Sequence, residues 1–226
     1  MNKVLAIIPA RGGSKGIPLK NLTMVNGKPL IDWTINAALQ AKCINDIVIT
    51  SDNDDILSHA KTFKDVVCIQ RPRNLAEDDT PTEPVIEHAL LSVVIEDYSV
   101  VVLLQPTSPL RQPEDIDAAY SKFINSNATA LISVMKPQKH PLKSFKVSEE
   151  GYLDGLVNNE FPFMARQKLP QVYYPNGAIY MIYVDTFMTN KTLLTNKTIP
   201  FEMSDYNSID VDTIDDIKTI ESLPKK

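Results

Sequence analysis

Apolar runs and helical repeats alternate along the first 135 residues of the chain. Short continuous apolar runs are typical of buried strands, and apolar residues that recur every three or four positions are typical of amphipathic helices. The predicted strands are 3–9, 46–51, 65–69, 99–104 and 130–135, and the predicted helices are 30–41, 54–63, 80–96 and 113–125. This order predicts an α/β fold with a doubly wound, mainly parallel sheet.

Two of the predicted helices carry explicit start signals. Thr80 and Glu83 have the spacing of a capping box, with Pro81 at the first helical position. Thr213 and Asp216 have the same spacing at the start of a last helix that reaches Leu223. Both signals predict helices whose first turn is capped by a side chain.

The alternation breaks after residue 136. Residues 137–172 are interrupted by proline and glycine and show little helical period, with two short strands predicted at 144–147 and 152–156. An isolated hairpin is marginal in water, so we expect this one to pack on something, such as a second subunit. Strands at 176–184 and 199–203 then resume the core. We therefore predict a core of residues 1–136 and 173–226 with an inserted dimerisation arm of residues 137–172.

Composition narrows the class of protein. The 226 residues are 43% hydrophobic and 23% charged, enough for one large α/β domain with a small insertion. The net charge of −5 argues against general nucleic-acid binding, which needs a basic face. No apolar run is long enough to span a membrane, and the run at 4–8 is too short for a signal peptide. We expect a cytoplasmic protein with no nucleic-acid or membrane partner.

The loop after the first strand combines glycine with positive charge. Open α/β sheets bind ligands at the carboxyl ends of their strands, which is where residues 9–21 begin. Glycines let backbone N–H groups approach an anion closely, and lysine and arginine supply charge, so the loop suits a triphosphate. The candidate groups are Arg11, Gly12, Gly13, Ser14, Lys15, Gly16, Lys20 and Asn21. The alternative is a solvated basic turn, since neither the Walker spacing nor the dinucleotide fingerprint is present.

A pair of carboxylates precedes the last predicted helix. In extended backbone, residues two apart point the same way, so Asp210 and Asp212 would share a face. Such a pair suits Mg²⁺, which takes a few carboxylates together with water and phosphate oxygens, and Mn²⁺ is also possible. The alternative is an acidic turn at a helix start.

Three further segments carry candidate contacts. Gln105 and Ser108 follow the strand at 99–104 and can hydrogen-bond a polyhydroxylated substrate, although a loop stiffened by prolines is the alternative. Arg71 follows the third strand and can reach a base or ribose. Lys143 and Arg166 lie in the arm and suit a carboxylate on an acceptor, although an exposed basic arm is the alternative.

The ordered set of motifs resembles the acylneuraminate cytidylyltransferase family, and most of all its bacterial CMP-sialic acid synthetases. The resemblance covers essentially the whole chain, and the first and last motifs are the most specific. The matching segments are 8–16 with Lys20 and Asn21, 104–111, 165–170 with the preceding Phe161-Pro162-Phe163, 175–180 and 208–212. It implies a Rossmann-like nucleotidyltransferase, a homodimer whose arm reaches the neighbouring site, and Mg²⁺-dependent transfer of CMP from CTP to N-acetylneuraminic acid with release of pyrophosphate.

The resemblance also implies residue roles. The loop from Arg11 to Asn21 would hold the triphosphate, and Arg71 and Thr82 would contact the nucleoside. Gln105, Ser108 and Tyr180 would contact the sugar, with Lys143 and Arg166 supplied by the partner subunit. Lys15, Asp210 and Asp212 would be catalytic, with the two aspartates binding the metal. The residue that takes the sugar's proton stays open between Asp212 and a metal-bound water.

Two alternatives concern the substrate and the class of enzyme. Some sialic acid enzymes carry arginine immediately before Pro-Asn-Gly-Ala, where this chain has Tyr174, so legionaminic and pseudaminic acids are rival substrates. A nucleotide-sugar-dependent glycosyltransferase is a more distant alternative, because it also uses an Asp-x-Asp metal pair. Such an enzyme would carry that pair in mid-chain and would have no need of the Lys15 loop.

Overall fold

A seven-stranded sheet runs through the part of the chain that the computed structural model describes, residues 3–224. Its order is β11-β7-β10-β6-β1-β4-β5, and two short two-stranded sheets, β2-β3 and β8-β9, lie apart from it. The strands are β1 Lys3–Pro9, β2 Met24–Val25, β3 Lys28–Pro29, β4 Asp46–Ser51, β5 Val67–Gln70, β6 Tyr98–Leu103, β7 Ala130–Met135, β8 Phe145–Val147, β9 Leu153–Gly155, β10 Tyr174–Tyr183 and β11 Thr198–Glu202.

Strand β10 is the exception to a parallel sheet. It pairs antiparallel with both β6 and β7, whereas β1 pairs parallel with β4 and β6, β4 with β5, and β11 with β7. The carboxyl ends of six strands therefore lie at one edge of the sheet, together with the amino end of β10. The predicted mainly parallel sheet is confirmed.

Helices cover both faces of the sheet, as predicted for a doubly wound fold. The side chains of β1 alternate between the two: Val4, Ala6 and Ile8 join one core cluster, and Leu5 and Ile7 join the other. The first cluster takes its helical residues from α1, α2 and α4, and the second from α3 and α5. The helices are α1 Leu30–Gln40, α2 Asp54–Ala60, α3 Thr82–Leu91, α4 Pro113–Ile124, α5 Val184–Asn190 and α6 Ile214–Ser222.

A third, smaller core cluster joins the two ends of the chain. Ile17 from the loop after β1 packs with Val211 and with Ile217 and Ile220 of α6, and Val25 and Leu30 complete the contact. Val211 is fully buried there. Residues separated by almost the whole sequence are thereby held at the same sheet edge.

One predicted helix start is confirmed and the other is wrong. Thr213 caps α6, with reciprocal bonds between its side chain and the Asp216 backbone and between the Asp216 side chain and the Thr213 backbone. Helix α3 begins two residues later than predicted, at Thr82, with no side-chain cap. The Thr80 hydroxyl instead donates to the carbonyl of Asn74 at 3.4 Å, so the preceding loop takes the group that the cap required.

The arm contains the predicted hairpin. Strands β8 and β9 pair only with each other among the described residues, and no strand of the main sheet continues them. Large apolar side chains in and around the hairpin are exposed, namely Phe145, Val147, Tyr152, Leu153, Leu156, Val157 and Phe163. The core and arm boundaries remain a prediction.

Across residues 3–224, no helix has both the length and the apolar character needed to cross a bilayer.

Candidate active site

A cleft of about 380 Å³ lies at the sheet edge that collects the carboxyl ends of the parallel strands. The loops after β1, β5 and β6, the start of α3 and the segment before α6 line it. Ten of the residues predicted for the site are among its lining: Arg11, Gly13, Ser14, Lys20, Asn21, Arg71, Thr82, Gln105, Asp210 and Asp212. The topology therefore brings together motifs from both ends of the chain.

The loop after β1 is fixed by side chains of neighbouring loops. The Gly12 N–H donates to Asp52 Oδ1 at 2.9 Å, and Asn21 Nδ2 donates to the Arg11 carbonyl at 2.9 Å. Gly12 therefore already has a partner for its N–H, and Asn21, which is buried, holds the backbone of the loop. Gly13 and Ser14 are the loop residues next to Arg11 that line the cleft.

The loop after β1 also contacts the segment that carries the two carboxylates. Lys20 Nζ lies 3.1 Å from Asp212 Oδ1 and 2.8 Å from the Val211 carbonyl. A Cβ at Gly16 would stand 2.7 Å from the Asp212 carbonyl, so only glycine allows this approach without a shift of backbone. We call residues 11–21 together with Asp210 and Asp212 the phosphate end, after the ligand that the sequence predicts for this loop.

The two carboxylates differ in environment. Val211 points into the third core cluster, so Asp210 and Asp212 face the cleft together, as the sequence predicts. Asp212 is 76% exposed, whereas Asp210 Oδ1 is shielded from solvent and finds no hydrogen-bond partner within residues 3–224. Burial raises the pKa of Asp210, against the hydrogen bond from Thr107, and the charge of Asp212 raises it further.

Sequence reasoning missed the group that faces the loop cations. Asp78 Oδ1 lies 2.8 Å from Arg11 Nη1, and Asp78 Oδ2 lies 3.1 Å from Lys15 Nζ. Arg11 Nη1 also donates to the Glu77 carbonyl at 3.2 Å. Lys15 is 82% exposed and lies outside the cleft lining, held at the rim by this ion pair. The acidic segment Glu77-Asp78-Asp79, which follows β5, was the sequence feature that could have indicated this partner.

Arg71 is a buried cation in the lining of the cleft. It is only 5% exposed, its Nη1 donates to the Leu75 carbonyl at 3.5 Å, and its Nη2 lies 4.0 Å from Asp52 Oδ1. Its Nε and Nη2 lack hydrogen-bond partners in the described chain. Burial lowers the pKa of its guanidinium, partly offset by Asp52. A buried cation with spare donors facing a cleft suits a polar ligand.

The loop after β6 meets the start of β10 in a group that we call the inner end: Gln105, Ser108, Arg111 and Gly177. Gly177 has φ of +74°, and a Cβ there would stand 2.6 Å from Gln105 Oε1, so glycine is required by conformation and by space. The Ser108 hydroxyl is buried nearby and has no partner among residues 3–224. Ser108 lies outside the cleft lining, whereas Gln105 belongs to it.

Arg111 holds the inner end together, a role that the sequence motif did not reveal. Its Nη1 donates to the carbonyls of Ala178 at 2.7 Å and Gln105 at 3.2 Å, and its Nη2 donates to Thr34 Oγ1 at 2.6 Å. The residue is 2% exposed, and burial lowers the pKa of the guanidinium. One side chain thus ties α1, the loop after β6 and β10.

A buried polar network anchors β10 to the segment before the carboxylates. The Asn176 side chain donates to Ser208 Oγ at 2.9 Å and accepts from the Ser133 hydroxyl at 2.5 Å. Tyr180, further along β10, has a pKa raised by burial and then by the charge of Asp210. Tyr180 therefore lies on the Asp210 side, although it is not part of the cleft lining.

The two predicted arm cations both lie in short 3₁₀ helices of the arm. Arg166 Nη2 donates to the Pro137 carbonyl at 3.0 Å within the arm, and Lys143 ends a short 3₁₀ helix, Pro141–Lys143. Neither residue lines the cleft of the same chain.

Comparison with known proteins agrees with this geometry. A family model described as cytidylyltransferase matches residues 5–209. The chain belongs to the cytidylyltransferase family. A solved structure of CMP:2-keto-3-deoxy-manno-octonic acid synthetase in complex with CTP matches the fold with a TM-score of 0.72 at 15% identity, covering 98% of each chain.

Two curated relatives in this family are about a third identical to the chain over the aligned residues. An N-acylneuraminate cytidylyltransferase of Streptococcus agalactiae is 33% identical over 95% of this chain, which spans about half of that relative (51%). A CMP-N,N'-diacetyllegionaminic acid synthase of Legionella pneumophila is 32% identical over 98% of this chain and 96% of its own length. The predicted family is therefore confirmed.

Proposed function

We propose that the chain is a cytidylyltransferase that joins CTP to a nine-carbon sugar acid, giving the CMP-sugar and pyrophosphate. The observation that carries the proposal is the contact between the loop after β1 and Asp212 of the carboxylate pair, where Lys20 Nζ lies 3.1 Å from Asp212 Oδ1. A triphosphate needs cations and donors, and its metal needs carboxylates. The names of the relatives in Streptococcus and Legionella support a sugar acid as the acceptor.

In this proposal the loop binds the phosphates and the buried arginine binds the nucleoside. Arg11, Lys15 and the N–H groups at Gly13 and Ser14 hold the β- and γ-phosphates, with Lys20 and Asn21 fixing the loop around them. Arg71 offers two unused donors, and Thr82 offers a hydroxyl at the first residue of α3. Gln105, Ser108 and Tyr180 bind the sugar.

The carboxylate pair fits a magnesium ion, with Mn²⁺ as the second choice. Asp210 Oδ1 is shielded yet lacks a hydrogen-bond donor within the described residues, so it is available as a ligand. No group of three or more acidic, histidine or cysteine side chains within residues 3–224 forms a complete metal cage. This suits Mg²⁺, which keeps waters and shares substrate phosphates. When bound there, the ion supplies positive charge to the α-phosphate and the leaving pyrophosphate.

The chemistry is an in-line displacement at the α-phosphorus. A bond forms between the sugar's C2 oxygen and phosphorus, and the bond from phosphorus to the bridging oxygen breaks as pyrophosphate leaves. Lys15 and Arg11 stabilise the charge that develops on the leaving group. The hydroxyl proton needs an acceptor, and we assign it to Asp212, because its exposed carboxylate lines the cleft.

N-acetylneuraminic acid is the proposed acceptor, with legionaminic and pseudaminic acids as the rivals. Tyr174 begins β10 where some sialic acid enzymes carry arginine, and its half-exposed side chain brings no charge to the acceptor. The test offers the purified protein CTP and Mg²⁺ with each of the three acids side by side. CMP-N-acetylneuraminic acid should form fastest, and faster turnover of a rival would reassign the acceptor. Absence of any CMP-sugar and of pyrophosphate release would reject the activity.

We further propose that the protein is a homodimer in which the arm completes the neighbouring site. The hairpin exposes a cluster of large apolar side chains, which favours burial against another protein surface. Arg166 and Lys143 are not among the residues that line the cleft of their own chain, and in this proposal they bind a sugar carboxylate in the other copy.

Mixing two inactive variants tests this exchange. Lys15→Ala disables the site of its own chain, whereas Arg166→Ala disables the site of the partner. In a mixed dimer the two defects fall on one site, so an equal mixture should recover about a quarter of wild-type activity. Equal mixtures that stay inactive, or a fully active monomer in sedimentation, would contradict the exchange.

A further inference from the structure

Asp78 contacts the cations of the loop after β1 to which the proposed function assigns the triphosphate. Each of its carboxylate oxygens takes one cation, with Oδ1 2.8 Å from Arg11 Nη1 and Oδ2 3.1 Å from Lys15 Nζ. The carboxylate thus satisfies the same two cations that the proposed function assigns to the triphosphate. A carboxylate and a phosphate offer similar oxygen acceptors to such cations.

The ion pairs are weak enough to be exchanged for a ligand. Asp78 is 42% exposed and Lys15 is 82% exposed, so water screens both contacts. The hydrogen bond from Lys15, followed by the charges of Lys15 and Arg11, holds the pKa of Asp78 below its usual range, so it stays ionised at neutral pH. A polyphosphate carries more charge than one carboxylate and can replace it.

We propose that Asp78 competes with the polyphosphate part of the substrate for Arg11 and Lys15, and so weakens the binding of CTP and pyrophosphate but not of CMP. The inference rests on the proposed use of these cations for CTP. A ligand with β- and γ-phosphates must displace Asp78, whereas a nucleoside monophosphate leaves it in place. After the reaction the carboxylate returns to the cations and favours release of pyrophosphate.

The neighbouring Asp79 provides a matched control. It is exposed and carries the same charge one residue further on, and none of the ion pairs found within residues 3–224 includes it. Asp79→Asn changes the general field of the segment by the same amount as Asp78→Asn. Only Asp78→Asn removes the carboxylate from the two cations.

The experiment measures binding of CTP, pyrophosphate and CMP by titration calorimetry to the wild type and both variants. Loss of two exposed ion pairs should tighten CTP and pyrophosphate binding to Asp78→Asn by roughly 2- to 10-fold relative to Asp79→Asn. CMP binding should be equal in the two variants. The difference should shrink as salt is raised, because screening weakens the competing contact.

Other outcomes overturn the proposal. Weaker pyrophosphate binding in Asp78→Asn would mean that Asp78 positions Arg11 and Lys15 for the ligand. Equal binding in Asp78→Asn and Asp79→Asn would mean that Asp78 acts only through the net charge of its segment. Pyrophosphate also separates this inference from the proposed function. If the wild type binds no CTP, the proposed function fails, yet the pyrophosphate comparison still decides whether Asp78 competes for the loop. Asp78→Ala repeats the comparison without an amide that can hydrogen-bond the cations.

Discussion

Lys15 and Asp212 at the phosphate end are exposed, as is the neighbouring Asp78, whereas Ser108 and Arg111 at the inner end are buried. Exposed ion pairs add little to stability, and buried polar groups destabilise the fold when they lose their partners. The contrast separates two kinds of site residue. Changes at the exposed end should alter activity with the fold intact, and changes at the inner end should alter the fold first.

Asp210 is the sharpest test of this contrast, because it lies at the phosphate end but is shielded. Asp210→Asn should lower kcat by about 10³-fold, since it removes a proposed metal ligand that provides several kcal/mol of charge stabilisation. The fold holds the pKa of Asp210 above its ordinary value, so the folded state keeps a proton that the unfolded chain releases. The stability of the metal-free protein should therefore fall as the pH rises from the ordinary pKa of an aspartate to the raised pKa of Asp210 in the folded state.

Asn at position 210 lacks this titration, so the variant should be at least as stable as the wild type in EDTA at pH 7. Thermal unfolding in EDTA across pH 4 to 8 measures the effect. A variant that loses both activity and metal-free stability would show that Asp210 is a structural residue. The proposed difference between the phosphate end and the inner end would then be contradicted.

Lys15→Ala should lower kcat by about 10²- to 10³-fold, because it removes a charge that we propose acts on the leaving pyrophosphate. Its melting temperature should stay close to that of the wild type, since the side chain is exposed. Steady-state kinetics and thermal unfolding check the two statements. Lys218→Ala removes an exposed lysine that pairs with Asp215 on α6 and should change neither. A near-wild-type rate in Lys15→Ala would contradict the proposed catalytic role of Lys15.

Arg111→Met should destabilise the protein by about 3 kcal/mol, because the Ala178 carbonyl and Thr34 Oγ1 lose their buried donor and the Gln105 carbonyl keeps only the weaker bond from Thr34. Urea unfolding measures the change, and Arg111→Lys should recover part of it. An unfolding free energy within about 1 kcal/mol of wild type would show that the inner end is not held by this side chain.

Gly177→Ala should destabilise the protein by about 2 kcal/mol, since alanine is strained at positive φ and its Cβ would meet Gln105 Oε1. The displaced Gln105 should raise the KM for the sugar acid more than the KM for CTP. Gly151→Ala is the matched control, because its φ is also positive but its Cβ would meet nothing within 4 Å. Equal rises in both KM values would contradict the role of Gln105 at the acceptor.

Local patterns predicted the strands, most helices and the motifs that line the cleft. Strand β1 and strand β7 have the predicted bounds because their apolar runs are continuous, and the cap at Thr213 is fixed by residues three apart. The predicted cap at Thr80 failed because its hydroxyl bonds a loop residue six positions earlier. Local spacing does not indicate which competing partner a side chain takes.

The sequence did not reveal one helix and two sets of long-range contacts. Helix α5, Val184–Asn190, follows β10 directly, and no side chain caps its first turn. Arg111 was visible only as the last residue of a motif, because its acceptors at Gln105, Thr34 and Ala178 come from three segments. Asp78 meets Arg11 and Lys15 across more than sixty positions, a pairing that depends on the order of β1, β4 and β5 in the sheet.

The packing of Ile17 against Val211 has a consequence for how the protein is made. A chain leaving the ribosome presents the phosphate loop early, while the aspartates that face it are still untranslated. The nascent protein can assemble β1, β4, β5 and β6 into a partial sheet before its proposed catalytic groups meet. Nucleotide binding should therefore appear late in synthesis, in a single step when the segment around Val211 docks onto the loop.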